Sequence, residues 1–75
     1  MRILILGVSG MIGHALFNYF SPKYETFGTL RSSKKKYVFE NSSNLIEWLD
    51  VREFDNVRNT IANLRPSVVI NCTGI

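Results

Sequence analysis

Apolar residues change their spacing along this chain, and the changes mark out successive elements. Ile3, Leu4, Ile5 and Leu6 run without polar interruption and stop at Gly7. The stretch from Arg2 to Leu6 is too short for a helix and contains β-branched residues, so it predicts a strand. A strand that is apolar on both faces belongs inside a parallel sheet with helices on each side. From Met11 to Phe20 the period lengthens. Ile12, Ala15, Leu16, Tyr19 and Phe20 fall on one helical face, and Pro22 enforces a stop. Tyr24 to Leu30, with Thr26, Phe27 and Thr29, reads as a second strand. Ser32 to Ser43 is polar and basic apart from Tyr37–Phe39, and predicts mostly loop.

The second half repeats the scheme. Leu45 to Leu49 predicts a third strand ending at Asp50. Phe54, Val57, Ile61 and Leu64 mark a helix face that Pro66 closes. Ser67 to Asn71, with Val68, Val69 and Ile70, predicts a second continuously apolar strand of the buried kind. The order β-α-β, β-α-β implies an α/β fold: a parallel sheet with right-handed crossovers. The chain stops at Ile75, directly after that strand, with nothing following to cover the next sheet edge. The expectation is therefore the N-terminal portion of a longer domain, residues 1–75, with catalytic and substrate-binding parts elsewhere. The alternative is a naturally small domain that forms a homodimer to cover the edge.

Composition narrows the class. With 75 residues there is room for one small domain, and a hydrophobic fraction of 45% rules out compositional disorder. A core of this size rarely supplies more than about 3–5 kcal/mol. Cys72 is the only cysteine, so no disulfide helps. A lone thiol suits a reducing compartment, and a cytoplasmic protein is expected. No apolar run approaches the roughly 18 residues of a membrane span, and no cleavable signal layout is present. Much of the net charge of +3 comes from Arg31 with Lys34, Lys35 and Lys36. Such a cluster can attract nucleic acid or an anionic membrane, or can simply be a solvated loop. No recognition-helix or stacking-aromatic pattern accompanies it, so neither nucleic acid nor membrane is an expected partner.

The stretch Gly7-Val8-Ser9-Gly10-Met11-Ile12-Gly13 carries the chemistry. It follows a predicted strand and opens a predicted helix, the context in which a glycine pattern is informative. Gly7 ends the strand in a turn that a Cβ would obstruct. Gly10 lets the backbone approach a pyrophosphate, and Gly13 lets the helix pack near the strand. The helix N-terminus offers free N–H groups and partial positive charge to phosphates. Ser9, Met11 and Ile12 complete this candidate cofactor-binding loop. A ligand-free glycine turn is the alternative.

The spacing G-x-x-G-x-x-G resembles that of the extended short-chain dehydrogenase/reductase family. The resemblance implies a Rossmann-like sheet ordered 3-2-1-4 with helices on both faces, and a nicotinamide dinucleotide cofactor. NAD-preferring sites usually place an Asp or Glu at the end of the second strand. Here that neighbourhood reads Thr29-Leu30-Arg31-Ser32-Ser33-Lys34, without a carboxylate. A guanidinium can hold a 2′-phosphate and stack on adenine. NADP is therefore expected over NAD, with Arg31 the main reader and Ser32, Ser33 or Lys34 assisting. The resemblance further implies that Asp50 accepts a hydrogen bond from the adenine amino group, beside Val51. The alternative is that Asp50 caps the following helix.

Arg65-Pro66-Ser67-Val68-Val69-Ile70-Asn71-Cys72-Thr73-Gly74 looks like the family's fourth strand and its Asn-Ala-Gly-type end. In the family, small residues there line the cofactor and the Asn steadies the centre of the sheet. Cys72 replaces the usual Ala and is read as packing. Cys72, Thr73 and Gly74 would form one wall of the site, opposite the glycine loop. Within the family the likeness is nearest to dTDP-4-dehydrorhamnose reductases and related sugar-nucleotide reductases. It implies a nucleotide-sugar substrate and a role in polysaccharide biosynthesis. The parent protein is expected to be an NAD(P)-dependent oxidoreductase or epimerase, and a non-catalytic Rossmann-like binding or regulatory subunit is the alternative function.

Family members reduce a carbonyl with a Tyr as general acid and a Lys four residues later. Tyr19 and Lys23 have that spacing, but Pro22 lies between them and argues against a shared helical face. They would also lie far from the carboxyl ends of the strands, and Tyr19 belongs to the predicted core stripe. No catalytic residue is therefore assigned within the chain, and the pair is expected beyond Ile75. His14 has no metal-ligand or carboxylate partners in sequence and reads as a surface helix residue, so no metal site is expected.

Overall fold

The computed structural model describes residues 1–33 and 42–74. Strand β1 (Arg2–Leu6) leads through the glycine loop into helix α1 (Met11–Phe20), then to strand β2 (Glu25–Thr29). A 3-10 turn (Ser42–Asn44) precedes the short strand β3 (Leu45–Ile46). Helix α2 (Phe54–Leu64) and strand β4 (Val68–Asn71) complete the described elements.

The strands form one parallel sheet in the order β3-β2-β1-β4. Ile3 lies opposite Thr26 on one side and Val68 on the other, which places β1 between two neighbours. The chain steps one way from β1 to β2 and the other way from β3 to β4. Right-handed crossovers then put α1 and α2 on opposite faces. Both faces of β1 are covered: Ile3 and Ile5 join Phe17, Val8, Leu30 and Leu45 in one cluster, while Leu4 and Leu6, alternating to the other face, are also buried.

The face of α1 differs from the predicted stripe. The helix buries Gly13 and Phe17, with Leu16 and Phe20 packed partly against the same cluster. Ile12 is 69% exposed, Tyr19 is 58% exposed, and Ala15 is exposed. The seam is thus 13, 16, 17 and 20, still an i, i+3, i+4, i+7 pattern but rotated about one residue. Hydrophobicity did not point to Gly13, because glycine is buried here for its lack of volume.

Strand β3 is two residues long, against five expected. The backbone turns left-handed at Trp48, with φ 60, and a bulky residue there cannot continue a pleated strand. The chain nonetheless stays beside β2: the Leu49 amide donates to the Leu30 carbonyl at 2.8 Å. Helix α2 presents Val57, Ile61 and Leu64 half-buried, but Phe54 is 73% exposed. Arg65 caps the helix with φ 50, its amide donating to the Ile61 carbonyl, just ahead of Pro66. Strand β4 is not the buried strand predicted. Val68 and Val69 are exposed, because among the described residues β4 is bonded to β1 alone. No helix among the described residues is long and apolar enough to cross a membrane.

Candidate functional site

The carboxyl ends of the strands converge on a cleft of about 270 Å³. Gly7, Ser9 and Gly10 of the first loop form one wall, and Cys72 and Thr73 after β4 form another. Thr29 and Arg31 at the end of β2, with Leu49 and Val51 after β3, complete the lining. Open parallel sheets bind ligands at this point, where the strand order reverses between β1 and β4.

Each glycine of the loop answers a different steric demand. Gly7 has φ +83, and a Cβ there would stand 2.8 Å from Thr73 Cγ2. A Cβ on Gly13 would meet the Gly7 carbonyl oxygen at 2.1 Å, so the helix can approach the strand end only with glycine at this position. Gly10, by contrast, has nothing within 4 Å of its Cβ direction. Its neighbourhood is open, as a cradle for a close-lying ligand requires. Gly10 is also the N-cap of α1, with no side-chain hydrogen bond to the cap and no acidic residue in the first turn. The positive end of the helix is therefore left for an external anion.

Strand β2 holds the loop in place. The Gly7 amide donates to Thr29 Oγ1 at 3.1 Å, and the Val8 amide donates to the Thr29 carbonyl at 3.0 Å. Thr29 and Leu49 were not foreseen as site residues. Thr29 is a buried hydroxyl at a strand end next to a predicted binding loop, and that position is the signal that could have found it. Leu49 enters because the left-handed turn at Trp48 keeps it folded against β2.

At the other wall, Asn71 Oδ1 accepts from the Thr73 amide at 3.0 Å and from Thr73 Oγ1 at 2.6 Å. The Asn braces the turn after β4. Gly74 follows with φ +81 in open space and does not line the cleft.

Of the other expected residues, Met11 and Ile12 stand exposed at the helix start, and Gly13 lies buried beneath it. Ser32 and Ser33 are half-buried just past Arg31, outside the lining. Lys34 lies outside the described residues. Asp50 does not line the cleft, although Leu49 and Val51 on either side of it do. Its Oδ1 accepts from the Arg52 amide at 3.0 Å and from Arg52 Nε at 3.1 Å, and its Oδ2 accepts from Arg52 Nη2 at 2.7 Å. These bonds from Arg52, with a smaller contribution from the charge of Arg31, lower the carboxyl to a pKa of about 2. Asp50 is not the cap of α2. That place belongs to Glu53, which makes no side-chain cap bond.

Helix α1 ends at Phe20, ahead of Pro22, so Tyr19 and Lys23 do not share a helical face, yet their side chains meet across the turn that follows. Lys23 Nζ sits 3.9 Å from the Tyr19 ring centroid. The chain stays helically curled through Ser21, and the amides of Lys23 and Tyr24 both donate to the Phe20 carbonyl. A proline removes a donor but does not uncoil a turn whose other amides are satisfied. The pair remains at the carboxyl end of α1, away from the cleft. Among the described residues no three potential metal ligands come together, and His14 is half-buried on α1.

A family model described as the NAD dependent epimerase/dehydratase family matches residues 3–75. The chain belongs to this family. Its parallel sheet ordered 3-2-1-4 is the Rossmann-like domain of that family, within the extended short-chain dehydrogenase/reductases, and the family supports a nucleotide-binding, oxidoreductase-like domain. No curated protein matches the chain.

The residues fit a nicotinamide dinucleotide. The open approach at Gly10 and the uncompensated helix start suit a pyrophosphate, and Arg31 brings positive charge to the cleft wall.

Proposed function

We propose that the chain is the cofactor-binding part of an NADP-dependent reductase acting on a nucleotide-linked sugar, of the dTDP-4-dehydrorhamnose reductase kind. The observation that carries the cofactor choice is Arg31. It lines the cleft at the end of β2, where an NAD-preferring site carries a carboxylate. A guanidinium there attracts a 2′-phosphate and presents paired donors to it. In this reading the loop amides from Ser9 to Gly13 hold the pyrophosphate, Ser32, Ser33 and Lys34 assist Arg31, and Asp50 accepts from the adenine amino group. Cys72 and Thr73, which line the cleft, border the nicotinamide end. When bound, the nicotinamide would supply the hydride; no residue of this chain is assigned as the proton donor. The substrate class rests on the likeness of residues 65–74 to sugar-nucleotide reductases.

The test is the ratio of NADPH to NADH affinity in the full-length protein, before and after Arg31→Ala. NADPH binding is expected to weaken by tenfold or more, the scale of one lost charge-assisted contact, with NADH little changed. An unchanged preference would overturn the assignment. Reduction of a nucleotide-linked 4-keto sugar with NADPH tests the substrate class.

A further inference from the structure

The Asp50–Arg52 pair is an arrangement that the glycine loop and Arg31 do not account for. Arg52 lies two residues beyond Asp50 and folds back on it. Its amide closes a small turn onto Oδ1, while Nε and Nη2 grip the two oxygens side by side. The Arg52 side chain is 63% exposed, and an exposed pair of this kind adds little to the stability of a fold. What the fork does fix is orientation. Unpaired, the Asp50 side chain in this loop would sample several rotamers. Bound at three points by one neighbour, it has one.

The grip is shared between both oxygens. The Arg52 amide and Nε fall on Oδ1, and Nε, at 3.3 Å, and Nη2, at 2.7 Å, fall on Oδ2. Because Leu49 and Val51 line the cleft on either side, Asp50 stands at its rim.

We propose that Arg52 is a positioning residue for adenine recognition: it holds the Asp50 carboxylate in one orientation from which it accepts from the adenine amino group. The inference rests on the cofactor reading given above, in which Asp50 meets adenine. Arg52 does not touch the cofactor. It orders the acceptor in advance, so that binding does not have to arrest a free side chain. Its position two residues past Asp50 makes the arrangement local, independent of the packing of α2.

The experiment compares NADPH with its nicotinamide hypoxanthine analogue, which carries an oxo group in place of the adenine amino group. The wild-type full-length protein is expected to favour NADPH by about tenfold or more, the scale of one hydrogen bond to a charged acceptor. Arg52→Ala is expected to shrink that ratio to within about threefold while leaving the NADPH to NADPH-lacking-2′-phosphate (NADH) ratio as it was. Arg52→Lys keeps the charge but not the fork and is expected to lose most of the discrimination too, which covers the case of an Arg52→Ala protein that folds poorly. An unchanged adenine ratio in both variants overturns the proposal, as does an increased one, which would make Arg52 a competitor for Asp50. If the wild-type protein does not discriminate at all, the adenine role of Asp50 fails and this proposal with it, while the Arg31 test still stands or falls by its own ratio.

Discussion

Gly13 sits against Gly7 so closely that a Cβ on Gly13 would stand 2.1 Å from the Gly7 carbonyl oxygen. The obstructing atom is backbone, held in turn by the Thr29 hydroxyl on the Gly7 amide. Nothing nearby is a flexible side chain end that could swing away. Gly13→Ala is therefore expected to destabilise the fold by at least about 1–3 kcal/mol, the usual cost of overpacking. Urea unfolding followed by circular dichroism measures it, and an unchanged midpoint would show that α1 can shift without cost.

Gly10→Ala should behave in the opposite way. The added methyl meets nothing within 4 Å, and φ −80 with ψ 168 is ordinary extended backbone. The loss of stability is expected to stay under about 1 kcal/mol, the range for exchanging glycine at an N-cap. Affinity for the dinucleotide should nevertheless fall tenfold or more, because the methyl enters the space the pyrophosphate needs. Full affinity in a stable Gly10→Ala protein would remove the loop from the binding site.

The carboxyl of Asp50 should titrate at about 2, below the ordinary 3.8, and return toward 3.8 in Arg52→Ala. A depressed carboxylate contributes stability that is complete above its unfolded value and is lost as pH falls through the folded one. The contribution of the Asp50–Arg52 pair should thus be present at pH 4 and above and fade between about 3.8 and 2. A carbon-detected NMR titration of the side-chain carboxyl reads the midpoint directly. An ordinary midpoint in the unmutated protein would mean that the fork is not maintained in solution.

At the far end of α1, the Lys23 hydrogen bond and charge lower the Tyr19 phenol below its ordinary 10.0. Lys23→Met should raise it again, seen as a shift of the phenolate absorbance near 295 nm toward higher pH. The sign places any stability gain from phenolate pairing above the unfolded value of 10.0, so neutral-pH stability should not change through this route. Identical titration curves for the two proteins would show that the ammonium does not reach the phenol.

The elements and their parallel order were legible because their signals are local. The Ile3–Leu6 run, the period change at Met11 and the two proline stops needed no partner to be read. The glycine loop was legible for the same reason: strand, glycines and helix are consecutive. The helix seam was read about one residue off: the stripe through Ile12 and Tyr19 is as apolar as the one through Phe17, and only packing against the sheet chose between them. Strand β3 was overextended because nothing in a tryptophan announces a left-handed backbone. The end of α1 ahead of Pro22 was legible, but the contact of Tyr19 with Lys23 was not, because it depends on the amides of Lys23 and Tyr24 closing the next turn onto the Phe20 carbonyl.

Sequence alone determined the order of the elements, the glycine turn at a strand–helix junction and the basic residue at the end of β2, since each is written in neighbouring positions. Only the tertiary structure decided that Thr29 carries the Gly7 amide, that Leu49 joins the cleft and that Asp50 is taken by Arg52. The first two join segments far apart in the chain. The third turns on a side-chain rotamer. None of these follows from residue type or spacing, because each depends on where the folded backbone brings the atoms.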